Sequence, residues 1–202
     1  MTSGVANSLN GLVLIGGKSS RMGTDKSLLC YQGKTPQREH LLNLLKPLCL
    51  DVYLSCNQTQ TTQIRDPGKA ITDHYPDCGP MGAILSAIAH RADCAWLVVA
   101  CDLPFLSIAL LKYLVAGRDP KKQATAFREK NSGCPEPLCT IYEPSSYRRL
   151  QNEFNQGNFS PAKALVSMEV AWLELPDGGL LTNVNNPQEH AEAVAKIGRH
   201  LK

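Results

Sequence analysis

Short apolar segments alternate with longer amphipathic segments along the chain. The apolar runs predict six strands, over residues 12–15, 52–55, 70–72, 96–100, 124–127 and 138–142. Helical spacing predicts five helices, over residues 36–46, 81–91, 107–115, 161–168 and 187–197. Strands followed by helices in this order predict an α/β fold with a mostly parallel sheet and right-handed crossovers. Ligands of such folds bind at the carboxyl ends of the strands, near a switch in strand order.

Capping signals support the last two predicted helices. Ser160 precedes Pro161, which puts a capping hydroxyl before a proline at the first helical position. Asn186 precedes Pro187 in the same way, and Glu189 follows the cap by three residues. We therefore expect both helices to begin at these prolines.

The first predicted strand is followed by residues 16–26, G-G-K-S-S-R-M-G-T-D-K, a segment typical of phosphate binding. Gly16 and Gly17 let backbone N–H groups approach an anion without an intervening Cβ atom. The segment also contains three cations: Lys18, Arg21 and Lys26. The glycine spacing matches neither a Walker A loop nor a dinucleotide fingerprint, so an ATPase or a dehydrogenase is disfavoured.

Asp102 follows the fourth predicted strand, in the segment C-D-L-P-F. An acid at the end of a buried strand, followed by Pro104, is placed to point into a binding crevice. One or two carboxylates together with substrate phosphates are enough to hold Mg²⁺, so we expect Asp102 to be a metal ligand. The alternative is that Asp102 caps the next helix, but Ser107 already occupies the capping position.

Two further polar segments are candidate sites. Residues 73–82, D-H-Y-P-D-C-G-P-M-G, form a turn-rich loop before a helix, and Asp73 is either a ligand-binding carboxylate or an ordinary turn residue. Asn183 and Asn185 lie at i and i+2, so in an extended segment their side chains point the same way. They offer amide groups to a metal shell or a phosphate, although turn and capping chemistry also explains them.

Composition limits the remaining possibilities. The chain has 202 residues, enough for one domain with a substantial core, and we divide it into an N-terminal tail, 1–10, and a domain, 11–202. Its net charge of +3 is spread out and only 6% of residues are aromatic, so neither nucleic acid nor a membrane surface is an expected partner. Residues 1–10 lack an apolar core and no apolar run approaches the roughly 20 residues that span a bilayer. Eight cysteines without C-x-x-C spacing then favour reduced thiols in the cytoplasm.

The segment from Leu14 to Lys26 resembles the opening pattern of the sugar-nucleotide-type nucleotidyltransferases, L-[AG]-G-G-x-S-x-R-M-G-x-D-K. Within that superfamily the chain is most similar to the molybdenum cofactor guanylyltransferase family. C-D-L-P at Asp102, G-P-M-G at 79–82, P-E-P-L at 135–138 and N-V-N-N-P-Q-E at 183–189 match further segments of that family. The resemblance implies a Rossmann-like α/β domain, with a nucleotide-binding half over residues 11–105 and an acceptor-binding half over residues 106–202.

The resemblance also implies roles for particular residues. Lys26, Arg21 and Asp102 would be catalytic, with Lys18 a weaker candidate, and Asp102 would hold Mg²⁺. Asn183 and Asn185 would be polar residues of the active site. The nucleotide would be bound by Leu14, Ile15, Gly16, Gly17, Lys26, Ser55, Asn57, Asp73, Gly79, Pro80 and Asp102.

GTP is the nucleotide that the resemblance favours, because the family pairs a double glycine after the strand with guanine. A carboxylate such as Asp73 also suits guanine, whose N1–H and N2–H₂ groups are adjacent donors. In the family an Asn often contacts the nucleoside at the position of Ser55, and Asn57 two residues later is its substitute here.

The implied reaction transfers GMP from GTP to the phosphate of molybdenum-bound molybdopterin and releases pyrophosphate. Other molybdenum cofactor biosynthesis or acceptor proteins are implied partners. Three alternatives stay open: a nucleotidyltransferase that uses CTP or another acceptor, a sugar-phosphate nucleotidyltransferase, and a non-catalytic nucleotide-binding domain. The short chain disfavours the second, and Lys26 with Asp102 argues against the third.

Overall fold

The computed structural model describes residues 8–16, 25–62, 64, 66–130 and 132–200, and a seven-stranded sheet forms their centre. Its strands are β1 (Leu9–Leu14), β4 (Val52–Cys56), β5 (Ala70–Thr72), β6 (Ala95–Ala100), β7 (Ala124–Arg128), β8 (Pro135–Tyr142) and β9 (Val170–Glu174). A separate hairpin contains β2 (Cys30–Gln32) and β3 (Thr35–Pro36), joined by a turn in which Gly33 has a φ of 66°. The six predicted strands are therefore present, with β1 starting earlier, at Leu9, inside the predicted tail.

The sheet is mostly parallel, as predicted. Its strand order is β5-β4-β1-β6-β8-β7-β9, and only β8 runs antiparallel to its neighbours, β6 and β7. The chain moves outward from β1 to β4 and β5, then returns to the other side of β1 as β6. The strand order therefore changes direction at β1, which lies between β4 and β6. A ligand crevice is expected there, at the carboxyl ends of these strands.

In the described residues, seven α-helices accompany the sheet: α1 (Gln37–Leu45), α2 (Gln58–Thr61), α3 (Gly79–His90), α4 (Ile108–Ala116), α5 (Tyr147–Asn155), α6 (Pro161–Val166) and α7 (Pro187–His200). Helix α1 contacts α4, while α5 contacts both α3 and α6. The predicted apolar face of α3 is confirmed, since Ile84, Leu85 and Ile88 are buried. In the described part of the chain, no helix has the length and apolarity needed to cross a membrane.

The predicted caps are confirmed. Ser160 Oγ accepts a hydrogen bond from Lys163 N at 3.4 Å, and Asn186 Oδ1 accepts one from Glu189 N at 2.9 Å. Ser107 Oγ accepts from Leu110 N at 3.3 Å, so Ser107 caps α4 and Asp102 is free for another role. These side chains satisfy backbone N–H groups that a helix leaves unpaired at its start.

A small second core holds the end of the chain against the hairpin. Tyr31 of β2 packs with Val184 and with Ala193 and Ile197 of α7, and partly buried Phe105 joins them. Phe105 lies just beyond Asp102, and Val184 lies between Asn183 and Asn185. The cluster therefore brings two segments with candidate site residues against each other.

Candidate active site

The carboxyl end of β1 forms the floor of the site. Leu14 and Ile15 are buried; Cys101 N donates to Leu14 O at 3.3 Å and Ile15 N donates to Ser55 O at 3.1 Å. These bonds tie β1 to its two neighbouring strands at the switch point. Gly16 is exposed, and among the described residues the nearest atom to a Cβ placed there would be Asn57 N, at 3.9 Å. The described residues therefore leave room for a side chain at this position.

Three residues with predicted roles, Gly17, Lys18 and Arg21, lie outside the described residues, as do the other members of the segment 17–24. The described chain resumes at Asp25, whose Oδ1 accepts from Ser27 N at 2.9 Å and begins the 3-10 helix Lys26–Leu28.

Lys26 reaches the Asn-Val-Asn segment. Its Nζ donates to Asn185 Oδ1 at 2.8 Å and to Val184 O at 3.1 Å. Asn183 and Asn185 are exposed and flank the buried Val184, as their i, i+2 spacing predicts. Asn185 N in turn donates to Glu189 Oε2 at 2.6 Å, which ties the segment to the first turn of α7. The ammonium group of Lys26 thus joins two segments that are 158 residues apart in sequence.

Asp102 lies beside this ammonium group. It follows β6, and its carbonyl oxygen accepts from Val184 N at 2.9 Å, so Asp102 and Lys26 are both bonded to Val184. Burial raises the pKa of Asp102 above its ordinary value, while the positive charge of Lys26 acts in the opposite direction. An acid and a cation are therefore neighbours at the switch point of the sheet.

The carboxylate of Asp102 suits a bound cation. Its Oδ1 is buried and has no hydrogen-bond partner among the described residues, an arrangement that is costly for an ionised oxygen. A divalent cation would supply the missing partner. No group of three or more His, Cys, Asp or Glu side chains forms a metal site in residues that the structure describes. A cation on Asp102 would therefore draw its other ligands from water and phosphates, as Mg²⁺ commonly does.

Asp73 lies at the carboxyl end of β5, on the other side of β1. Its N donates to Cys56 O at 2.9 Å, and its Oδ1 accepts from Tyr75 N at 2.8 Å. Ser86 Oγ lies 3.3 Å from the same oxygen and 2.8 Å from Gly82 O, so the single hydroxyl proton is shared between two acceptors. Burial raises the pKa of Asp73, and these donors oppose the shift. The bonds orient the carboxylate through Oδ1 and leave Oδ2 for a ligand.

The loop that contains Asp73 packs tightly against the first turn of α3. A Cβ atom at Gly82 would lie 2.7 Å from Tyr75 O and 2.9 Å from Asp73 Oδ1, so a side chain there would push the loop away. Gly79 has a φ of 61°, a conformation that favours glycine, and Pro80 follows it in the first turn. Gly79 and Pro80 therefore begin α3 at the end of the loop that contains Asp73.

Ser55 and Asn57 differ from each other in their surroundings. Ser55 is buried at the end of β4, whereas Asn57 is exposed and caps α2. The Asn57 side-chain oxygen accepts from Gln60 N at 2.9 Å and from Thr59 Oγ1 at 2.7 Å. This oxygen thus has a structural role, so a contact of Asn57 with a nucleoside would come from its side-chain NH₂ group.

Three residues of the site region were not predicted as site residues. Gln60 bridges Ile15 and Asp25, and its signal in the sequence is the spacing Asn57-x-x-Gln60 of a capping box. Glu136 on β8 has its pKa raised by burial and then by the charge of Asp102, which places a second carboxyl group near the first. Tyr31 has a buried hydroxyl, with a pKa raised to about 12 by burial and then by Asp102.

Comparison with known proteins identifies the family. The MobA-like NTP transferase domain matches residues 11–167. A molybdenum cofactor guanylyltransferase from Pseudomonas paraeruginosa is 32% identical over 182 residues, which are 88% of this chain and 90% of that protein. A molybdenum cofactor biosynthesis bifunctional protein from Synechocystis is 34% identical over 187 residues, covering 91% of this chain. The aligned region spans 53% of the Synechocystis protein.

A solved structure agrees on the fold. Molybdopterin-guanine dinucleotide biosynthesis protein A from Archaeoglobus fulgidus superposes with a TM-score of 0.77, covering 94% of this chain and 99% of that one, at 22% sequence identity. Lys26, Asp102 and the strands at the switch point lie within the matched residues, whereas Val184 and Asn185 follow them. The chain belongs to the MobA-like NTP transferase family and is a nucleotidyltransferase.

Proposed function

We propose that this nucleotidyltransferase transfers GMP from GTP to the phosphate of a molybdopterin-type acceptor that carries molybdenum. The observation that supports the proposal best is that the Lys26 ammonium group and the Asp102 backbone both bond to Val184, which places a cation and a buried carboxyl group in one neighbourhood at the switch point. The names of the Pseudomonas and Synechocystis relatives support the acceptor class. The eight free cysteines suit a reducing compartment, and we place the reaction in the cytoplasm.

The nucleotide would lie across the carboxyl ends of β1, β4 and β5. Asp73 would accept hydrogen bonds from the guanine edge through Oδ2, with Gly79 and Pro80 beside the ring. Ser55 and Asn57 would face the nucleoside. The phosphates would lie over Gly16 and Gly17, whose lack of a Cβ atom allows close approach to the backbone. Arg21 and Lys26 would neutralise the phosphate charge.

Mg²⁺ is the metal that we propose for Asp102. The unpartnered Oδ1 atom would be its protein ligand, and Asn183 and Asn185 would complete the polar surroundings. When bound, the ion would neutralise phosphate charge and orient the α-phosphate for attack.

The transfer itself requires no covalent enzyme intermediate. An oxygen of the acceptor phosphate forms a bond to the α-phosphorus of GTP, and the bond from that phosphorus to the bridging oxygen of pyrophosphate breaks. Negative charge develops on the leaving oxygens, so fixed cations are the expected catalytic groups. Lys26 meets this need because Asn185 and the Val184 carbonyl hold its ammonium group in place before substrate binds.

The acceptor would bind on the side of Asp102 away from Asp73. The next strands in that direction are β8 and β7, and β8 starts with the P-E-P-L segment that includes Glu136. This segment belongs to the half of the chain, 106–202, that we assign to the acceptor.

The test is pyrophosphate release from Mg²⁺, one nucleoside triphosphate at a time and the molybdopterin acceptor. We expect release with GTP and little with CTP, ATP or UTP. Equal turnover with CTP would overturn the assignment of guanine to Asp73. Release with GTP and a sugar phosphate, but not with molybdopterin, would overturn the acceptor.

A further inference from the structure

The side chain of Gln60 bridges Ile15 and Asp25. Gln60 is on α2, and its Nε2 donates to Ile15 O at 3.2 Å and to Asp25 Oδ2 at 3.0 Å. Ile15 directly follows β1, and Asp25 directly precedes Lys26. One amide nitrogen therefore links the end of β1 to the residue before Lys26.

The capping box of α2 fixes the Gln60 side chain. Gln60 Oε1 accepts from Asn57 N at 3.2 Å, and Asn57 Oδ1 accepts from Gln60 N at 2.9 Å. Both ends of the Gln60 amide are thus engaged. Because α2 follows β4 directly, the sheet holds the amide in position before any ligand binds.

Asp25 transmits this position to Lys26. Asp25 Oδ1 accepts from Ser27 N at 2.9 Å while Oδ2 accepts from Gln60, so each carboxylate oxygen has a donor within the protein. The 3-10 helix that Asp25 begins has Lys26 as its first residue. The backbone of Lys26 is therefore fixed from the Gln60 side, and its ammonium group is fixed by Asn185 on the other side.

We propose that Gln60 is a positioning residue for Lys26, because it holds Asp25, and Asp25 begins the short helix that carries Lys26. This inference rests on the proposed function, because it assigns phosphate binding to Lys26. Without the bridge, Lys26 would have to be fixed in place when the nucleotide binds, and the ordering entropy would weaken binding. The KM for GTP would then rise more than kcat falls.

Gln60→Glu tests the bridge with little change of shape. A glutamate at this position still accepts from Asn57 N and so keeps the capping box. It loses both donated hydrogen bonds and sets a second negative charge beside Asp25. Gln58→Glu is the matched control, because Gln58 is exposed on the same helix and the charge change is the same.

We expect Gln60→Glu to raise the KM for GTP on the order of tenfold to a hundredfold, with the KM for the acceptor unchanged and kcat within a few-fold. The control should match wild type in all three constants. Equal kinetic constants for the two variants would overturn the proposal. So would a fall in kcat with no change in the KM for GTP.

Hydrogen exchange of the ligand-free protein gives a readout that does not depend on the reaction. The Ser27 amide should exchange faster in Gln60→Glu than in wild type, and the control should not change it. Unchanged exchange in Gln60→Glu would overturn the bridge itself. If wild type binds no Mg²⁺-nucleotide at all, the proposed function fails. The exchange comparison still decides whether Gln60 holds Asp25 and the Ser27 amide in place.

Discussion

Replacing Asp102 by asparagine should move stability and activity in opposite directions. In the ligand-free protein, Oδ1 of Asp102 is buried without a hydrogen-bond partner among the described residues, and burial raises the pKa of the carboxyl group. Asparagine has nearly the same shape but no charge, so it removes the cost of burying an ionised oxygen. It also loses the attraction to Lys26, which offsets part of the gain.

A buried unpaired polar atom costs about 1–3 kcal/mol, and the amide of asparagine still leaves one such atom. The expected gain in the free energy of unfolding is therefore at the low end of that range, about 1 kcal/mol. For a chain of this length, that gain raises Tm by roughly 2–4 °C. Saturating Mg²⁺ and GTP should reverse the order. At a ligand concentration of about 100 Kd, binding stabilises wild type by about 2.7 kcal/mol, and the variant should gain much less.

The assay is thermal unfolding of wild type and Asp102→Asn, each with and without Mg²⁺ and GTP. Glu174→Gln is the control, because it removes one negative charge from an exposed position. We expect the variant to melt above wild type alone and below it with ligand, with pyrophosphate release lost. A ligand-free variant that melts several degrees below wild type would refute the reasoning, since the carboxylate would then stabilise the fold. Full Mg²⁺-dependent protection of the variant would refute the metal role.

Three further predictions test other parts of the molecule. Lys26→Met should lower turnover about 100- to 1,000-fold with Tm within a few degrees, whereas Lys34→Met, at an exposed position, should change neither, as pyrophosphate release and melting would show. Asp73 has a pKa raised in the folded state, so its contribution to stability is full below its unfolded pKa and is lost as pH rises through the folded value. Asp73→Asn should therefore gain Tm relative to wild type as the pH rises above about 4, while its GTP affinity falls at neutral pH; a pH-independent difference would contradict this. Glu143→Ala breaks a buried pair with Arg118, joined at 2.6 and 2.9 Å, and should cost about 3–5 kcal/mol in urea unfolding with the KM for GTP unchanged.

Much of the fold followed from the hydrophobic pattern. The strands at the switch point are short apolar runs, and the apolar face of α3 is evident, whereas α2, which follows β4, has no buried residue and was not predicted. Side chains at the ends of such strands must share one edge of the sheet, which is why Asp73 and Asp102 could be assigned to one crevice before their contacts were known. The caps at Ser160 and Asn186 were predictable because capping depends on neighbours in sequence.

The acceptor half was less predictable. The antiparallel direction of β8 could have been predicted from the sequence. Residues 129–134, which connect β7 to β8, are too few for a crossover, and a connection this short joins antiparallel strands. Residues 170–173 of β9 are all apolar, so that strand was missed although its pattern was present. In α5 only Leu150 is fully buried, and the polar face dominates its sequence. Elements at the edge of a domain bury less apolar surface, so their patterns are weaker.

Side-chain networks are the part that pattern alone could not supply. Asn57 and Gln60 illustrate the reason. Together they form the cap of α2, and the Gln60 side chain also bonds to Asp25. The cap is a local relation and could have been predicted, but the bridge depends on β1 and β4 being paired at Ile15 and Ser55. A capping glutamine whose amide also reaches a neighbouring strand is recognised only when the register of that strand is known. Positioning residues of this kind therefore need the fold before their function can be inferred, whereas Asp102 is suggested by its chemistry and its place after a strand, and Lys26 by the family resemblance.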